Sequence, residues 1–154
     1  MRPVRTIATT GHRALPHGAE WHIRAGVREI AGQHPGAVWL SGGAIGADTI
    51  VVDALLERDE RVELVLPFDP LIQSARWTWD QKWTQMGHLL TVADVHVLTD
   101  HYDPAAYNKR NQWMVDRADL LVAFWNGHLR GSGTANTVRM ADRAGLPVIW
   151  FPMR

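Results

Sequence analysis

No cysteine occurs among the 154 residues. Disulfides are therefore excluded, as are thiolate nucleophiles and thiolate metal ligands, and nothing ties the chain to an oxidising compartment. Net charge is also missing, because sixteen basic and sixteen acidic residues cancel. No whole-molecule field draws the protein to nucleic acid or to an anionic membrane, so neither is expected as a partner, and any anion must be gripped locally. No apolar run approaches the roughly 20 residues that span a bilayer, and the segment Met1 to Ile7 lacks the apolar core of a signal peptide. The expectation is a cytoplasmic protein.

Several catalytic signatures are absent. There is no GxSxG elbow and no GxxxxGK[ST] loop, which removes sequence support for acyl transfer and for P-loop NTP hydrolysis. The histidines His12, His17 and His22 recur every five residues, a spacing that spreads them around a helix, and no HxxxH or HxH pair occurs. Neither a metal site nor a resident cofactor is expected. Phenylalanine and tyrosine are scarce, at three and two against eight tryptophans. Trp77, Trp79 and Trp83 crowd into one segment, with Trp79 and Trp83 spaced to share a helical face. That is more aromatic surface than one small domain easily buries, and the expectation is a homo-oligomer, most simply a dimer.

What is present alternates in period. Strand signals at Val4–Thr9, Ala37–Leu40, Val62–Leu66, Val95–Leu98, Leu120–Phe124 and Val148–Phe151 alternate with helical segments. The helices are expected over Ala19–Gln33, Ala47–Arg58, Ser74–Thr91, Tyr107–Arg117 and Thr134–Ala144. Such spacing implies right-handed βαβ crossovers. The fold class expected is α/β, a single three-layer Rossmann-like domain over residues 1–154 with a mostly parallel sheet of about six strands.

Two glycine-rich loops stand where strands end and helices begin. The first runs Ser41-Gly42-Gly43-Ala44-Ile45-Gly46-Ala47-Asp48 and the second Gly131-Ser132-Gly133-Thr134. In that context backbone N–H groups can approach an anion while a helix N-terminus adds positive partial charge, although either loop alone is equally well read as a tight turn. In a parallel sheet both loops emerge at the carboxyl edge, where ligands bind. The first strand delivers Thr10, Gly11, His12 and Arg13 to the same edge, offering a hydroxyl, an imidazole and a guanidinium that can fork onto phosphate. Asp48 can cap its helix, hold a ribose hydroxyl or act as a base beside a sugar. Asn108, Arg110 and Asn111 enter a helix just before the second loop and can meet phosphate or a base edge, the ordinary alternative being a capped, hydrated helix start.

These motifs, in this order and over nearly the whole chain, resemble the SLOG superfamily of Rossmann-like nucleotide-binding proteins, its YpsA/YspA-like branch in particular. Lonely Guy phosphoribohydrolases and the core of DNA-processing protein A belong to the same group. The resemblance implies a pocket for a nucleotide or an ADP-ribose-like ligand, with phosphate at the second glycine loop. It also implies cleavage of the N-glycosidic bond of a nucleoside 5′-monophosphate, with Arg110 in the place of the family's arginine. Gly133-Thr134 matches the GT of the family's PGGxGTxxE motif, but Thr137 stands where the catalytic glutamate belongs. An oxocarbenium-like transition state needs a carboxylate. Either Asp48 substitutes, with Asp116 and Asp119 as runners-up, or the chain senses its ligand without turning it over.

Overall fold

The computed structural model describes residues 3–153. Met1, Arg2 and Arg154, the ends of the expected domain, lie outside the described residues. The chain alternates strand and helix throughout. It runs β1 (Thr6–Gly11), α1 (Ala19–Gln33), β2 (Val38–Ser41), α2 (Ala47–Glu57), β3 (Arg61–Leu66), α3 (Pro70–Gln73) and α4 (Trp79–Thr91). Then follow β4 (Asp94–Val97), α5 (Ala106–Arg117), β5 (Leu120–Trp125), α6 (Gly133–Arg143) and β6 (Val148–Pro152).

The strands form one six-stranded sheet in the order β4-β3-β2-β1-β5-β6. Every pairing is parallel, so the mostly parallel sheet is wholly parallel. Parallel strands covered on both faces read as continuous apolar runs, and Leu120–Trp125 (LLVAFW) is buried at all six positions. One apolar layer joins α1 and α2 to the sheet through Ile23, Val27, Ile30, Val51 and Leu55 against Ile7, Trp39, Leu64, Val122 and Phe124. The opposite layer places Met114 of α5 and Ala141 of α6 against Ala8, Leu40, Val65 and Leu121. Helices on both faces complete the three layers.

Two boundaries differ from expectation for identifiable reasons. β1 begins and ends two residues later than expected because Thr10 and Gly11 pair with Ala123 and Phe124, so the ladder carries polar residues that intrinsic preference would leave in a loop. The Trp-rich helix expected from Ser74 begins later, at Trp79. Pro70–Gln73 forms a short turn of helix, and α4 starts after Thr78, whose hydroxyl accepts from Gln81 N while Gln81 returns a side-chain acceptor to Thr78 N. That reciprocal cap fixes the start.

Connections from β1 lead toward β4, whereas β5 and β6 lie on the other side of β1. The direction of winding reverses between β1 and β5. Loops leaving the carboxyl ends of these two strands diverge there, opening a crevice.

Candidate functional site

The crevice is a cavity of about 520 Å³, within the usual range for a small-molecule site. Its walls come from the end of β1 (Thr9 to Arg13), the first glycine loop (Gly42, Ala44 and Asp48), the start of α5, and the second glycine loop with the start of α6. Of the site residues expected from sequence, Thr10, Gly11, His12, Arg13, Gly42, Asp48, Arg110, Asn111, Gly131, Ser132, Gly133 and Thr134 all line it. Ser41, Gly43 and Gly46 do not; they build the loop from behind. Ser41 is fully buried and its Oγ accepts from Gly43 N at 3.3 Å. Gly46 has φ +82°, and a Cβ there would collide with the backbone of His12 and Arg13. Only glycine lets the first loop pass this close beneath the β1 loop.

Asp48 sits in the first turn of α2 but caps no helical N–H. Its Oδ2 accepts from Ala44 N at 3.1 Å, reaching back to hold the loop. Burial pushes its carboxyl above the usual carboxylate range, opposed by the guanidinium of Arg110, the Ala44 N–H and Arg13. It is the only carboxylate on the cavity wall among the described residues. Asp119 accepts from Arg5 N and Thr6 N at the opposite end of the sheet, and the Asp116 carboxylate takes up the Gln112 amide at 2.7 Å on the outer side of α5. Neither runner-up reaches the ligand edge.

Arg110 is buried and mostly occupied by protein oxygens. Its Nη1 donates to Gly42 O at 2.6 Å and to Val65 O at 3.4 Å, and its Nε donates to Asn111 Oδ1 at 2.8 Å. Burial pulls its pKa down, and the Asp48 carboxylate counters that. These bonds brace the first loop and hold a positive charge beside Asp48, while Arg110 also lines the cavity. A Cβ on Gly42 would strike the same guanidinium.

The second loop is built differently. Ser132 caps α6, its Oγ accepting from Ala135 N at 3.0 Å, and Gly133 and Thr134, the first residues of the helix, line the cavity. Arg139 clamps the preceding segment by donating to Leu129 O and Asn136 Oδ1. Thr137, at the family's glutamate position, is fully buried, and its hydroxyl donates to Gly133 O at 2.8 Å. It does not line the cavity.

His12 accepts from Asn126 N at Nε2, 3.1 Å away, which leaves the ring proton on Nδ1 as a donor. No tryptophan lines the cavity; Tyr107 is its aromatic wall, with the Arg13 guanidinium 5.4 Å from the ring centroid. Asn136 and Met114 also face in without having been singled out as ligand contacts. Met114 is four residues beyond Arg110, so its position was readable from helical period. Asn136 lies one turn into α6 and carried no signal of its own.

One trio of metal-ligand type comes together elsewhere. Glu63, Asp94 and His96 bring donor atoms within 4.8 Å of one another across β3 and β4. The expectation of no metal site rested on spacing, which cannot register donors from two strands. Here His96 Nε2 of β4 is 2.8 Å from Glu63 Oε1 of β3, and Arg61, two residues along β3, is 3.4 Å from the other Glu63 oxygen. None of the three lines the cavity.

No protein-family model matches the chain. Among curated proteins it is similar to the uncharacterized SPbeta prophage-derived protein YoqJ of Bacillus subtilis, 27% identical over 125 residues covering 70% of this chain and 71% of that one. Among solved structures, DNA processing protein A of Streptococcus pneumoniae matches with a TM-score of 0.74 at 17% identity, covering 97% of this chain. The chain spans 51% of that protein's length. The molybdenum cofactor binding protein of Rippkaea orientalis matches with a TM-score of 0.68 at 20% identity, over 100% of this chain and 79% of that one. The chain shares the three-layer Rossmann-like fold of these structures.

One expectation is overturned. DNA processing protein A of Helicobacter pylori has a single-stranded DNA binding mode and shares this fold, with a TM-score of 0.71 at 19% identity over 97% of this chain and 66% of that one. Zero net charge therefore does not set nucleic acid aside as a partner of this fold. A strand is held by local cations and stacking rings, and a whole-chain total hides such an arrangement. Among the described residues, no helix is long and apolar enough to cross a membrane.

Proposed function

We propose that the cavity binds a nucleotide or an ADP-ribose-like ligand, with its phosphate on the N-terminus of α6, and hydrolyses the N-glycosidic bond of a nucleoside 5′-monophosphate to base and (deoxy)ribose 5-phosphate. The observation that carries this reading is Asp48, a buried carboxylate facing the α6 N-terminus across a cavity with no other acid on its wall among the described residues. A phosphate at Gly131 to Thr134 is favoured by the exposed N–H groups and the helix dipole. The sugar then lies toward Asp48, whose ionised form stabilises positive charge developing at C1′. His12 Nδ1–H and the Tyr107 ring flank the space left for a base.

A ligand-panel thermal shift is the first test. Nucleoside monophosphates, NAD, ADP-ribose and a short single strand of DNA are compared, since saturating ligand at a hundredfold excess over Kd stabilises by about 2.7 kcal/mol. Release of free base from the binding monophosphate then tests turnover. Asp48→Asn keeps Kd within a few-fold and lowers the rate by roughly 10²-fold or more, the scale of losing a positioned acid or base. A second reading, a sensor or carrier that holds its ligand unchanged, is favoured by Thr137 in place of glutamate and by the molybdenum-cofactor-binding neighbour. Tight binding without base release from any monophosphate decides for it.

A further inference from the structure

Helix α4 carries its apolar face outward. Trp79, Trp83, Met86 and Leu90 are 77%, 68%, 51% and 83% exposed. At 3.6 residues per turn the four fall within about 60° of arc, a continuous stripe along the helix. The opposite face does the packing. His88 is buried and its Nε2 lies 2.6 Å from Asp53 Oδ1, while Leu89 and Val92 pack against the α1–α2 layer. Lys82 Nζ lies 5.1 Å above the Trp79 ring, and Asp80 stands at the edge of the stripe three residues before Trp83.

This surface is large for a lone domain. Four long side chains exposed to this degree present on the order of 600 Å², taking 150–250 Å² for each large ring. That is the upper end of the patch a monomer displays and most of the ~800 Å² per partner of a standard interface. The 4-3-4 spacing is that of a helix–helix seam, whose crossing angle is about 20°.

Gly87 says what covers the stripe. Glycine in mid-helix costs about 1 kcal/mol relative to alanine. Here a Cβ would meet no atom within 4 Å, and the backbone is not left-handed, so nothing inside the chain calls for a glycine. Two residues before Gln85 stands Trp83; two residues after it stands Gly87. When two copies of α4 lie antiparallel with Gln85 at the centre, the indole of each meets the glycine of the other, and the two Met86 side chains meet near the two-fold axis. The largest side chain finds the smallest. We propose that α4 is the interface of a homodimer paired antiparallel in this way, with Trp83 of each copy seated over Gly87 of the second. It is independent of the ligand assigned to the cavity.

Sedimentation equilibrium at micromolar concentrations tests the pairing. The expected mass is twice the 17.3 kDa of the chain. Trp83→Glu and Gly87→Gln, each altering only exposed surface, are both expected to raise the dimer dissociation constant at least a hundredfold with unchanged far-UV circular dichroism. Having no cysteine, the chain also reports orientation. Oxidised Met86→Cys forms a covalent dimer, and Trp79→Cys does not, because antiparallel pairing holds the two copies of that position at opposite ends. A wild-type mass of one chain at every concentration overturns the proposal. So does a dimer that survives both interface variants, or cross-linking through position 79.

Discussion

The two glycine loops share a composition and differ in what their glycines answer to. In the first, a Cβ on Gly42 would strike Arg110 and one on Gly46 would strike the β1 loop, so the missing side chains are demanded from within. In the second, a Cβ on Gly133 would meet no atom within 4 Å, and Gly131 answers only to its own left-handed backbone, φ +79°. The first loop is a wall held rigid by a buried cation; the second is a helix N-terminus kept bare. Glycine richness alone cannot separate a packing role from a ligand role, whereas the neighbour of the absent Cβ can.

The contrast breaks most completely at Arg110. Arg110→Ala leaves Gly42 O and Asn111 Oδ1 without their donor and Asp48 with Arg13 alone to offset its burial, and is expected to lower stability by about 3–5 kcal/mol, since several buried groups lose their partner at about 1–3 kcal/mol each. Urea unfolding measures it, and a change under 1 kcal/mol would show that the brace is idle. Gly42→Ala comes next, at about 1–3 kcal/mol from forced overpacking against the same guanidinium. Gly133→Ala should do the reverse. Its folding stability holds or rises by up to about 1 kcal/mol from better helix propensity. Its nucleotide Kd, by calorimetry, rises roughly tenfold, or about 1.4 kcal/mol. Equal stability losses at Gly42 and Gly133 would erase the distinction between the loops.

The smallest effect is a pH shift. Burial, the leading influence on Asp48, raises its pKa, so the carboxylate needed at C1′ is lost as pH falls through a value above the ~3.9 of an ordinary aspartate. The acid limb of kcat/KM should lie correspondingly high, with activity rising as pH increases through it. Because Arg13 lowers that pKa, Arg13→Ala moves the limb further up. A limb at the ordinary aspartate position, or one that Asp48→Asn leaves in place, would assign the ionisation to another group.

Much of this was legible in the sequence where a signal was local. The run Leu120–Phe124 announced a strand buried on both faces, and the position of Asp48 behind a glycine loop placed it at the ligand edge. Distant geometry was not legible. Arg110 has a reach to Gly42, 68 residues away, that no spacing encodes. The start of α4 was legible but passed over: Thr78 and Gln81 have the three-residue spacing of a capping box, and their reciprocal bonds set the helix start there and not at Ser74. Charge totals misled about nucleic acid because they average over the surface on which recognition is local.

The pairing of β1 with β5 also governs when the site can exist. Ile7 lies beside Leu120 and Gly11 beside Phe124, so the cavity's two principal walls come from segments more than a hundred residues apart. Closing so long a loop costs entropy before any contact repays it, and pairings of this kind form late in folding. A nascent chain that has completed β1 through β4 holds most of its sheet yet has only one wall of its crevice. Ligand affinity should thus appear abruptly, with the docking of the final third of the chain, making binding a report on completed folding and not on partial structure.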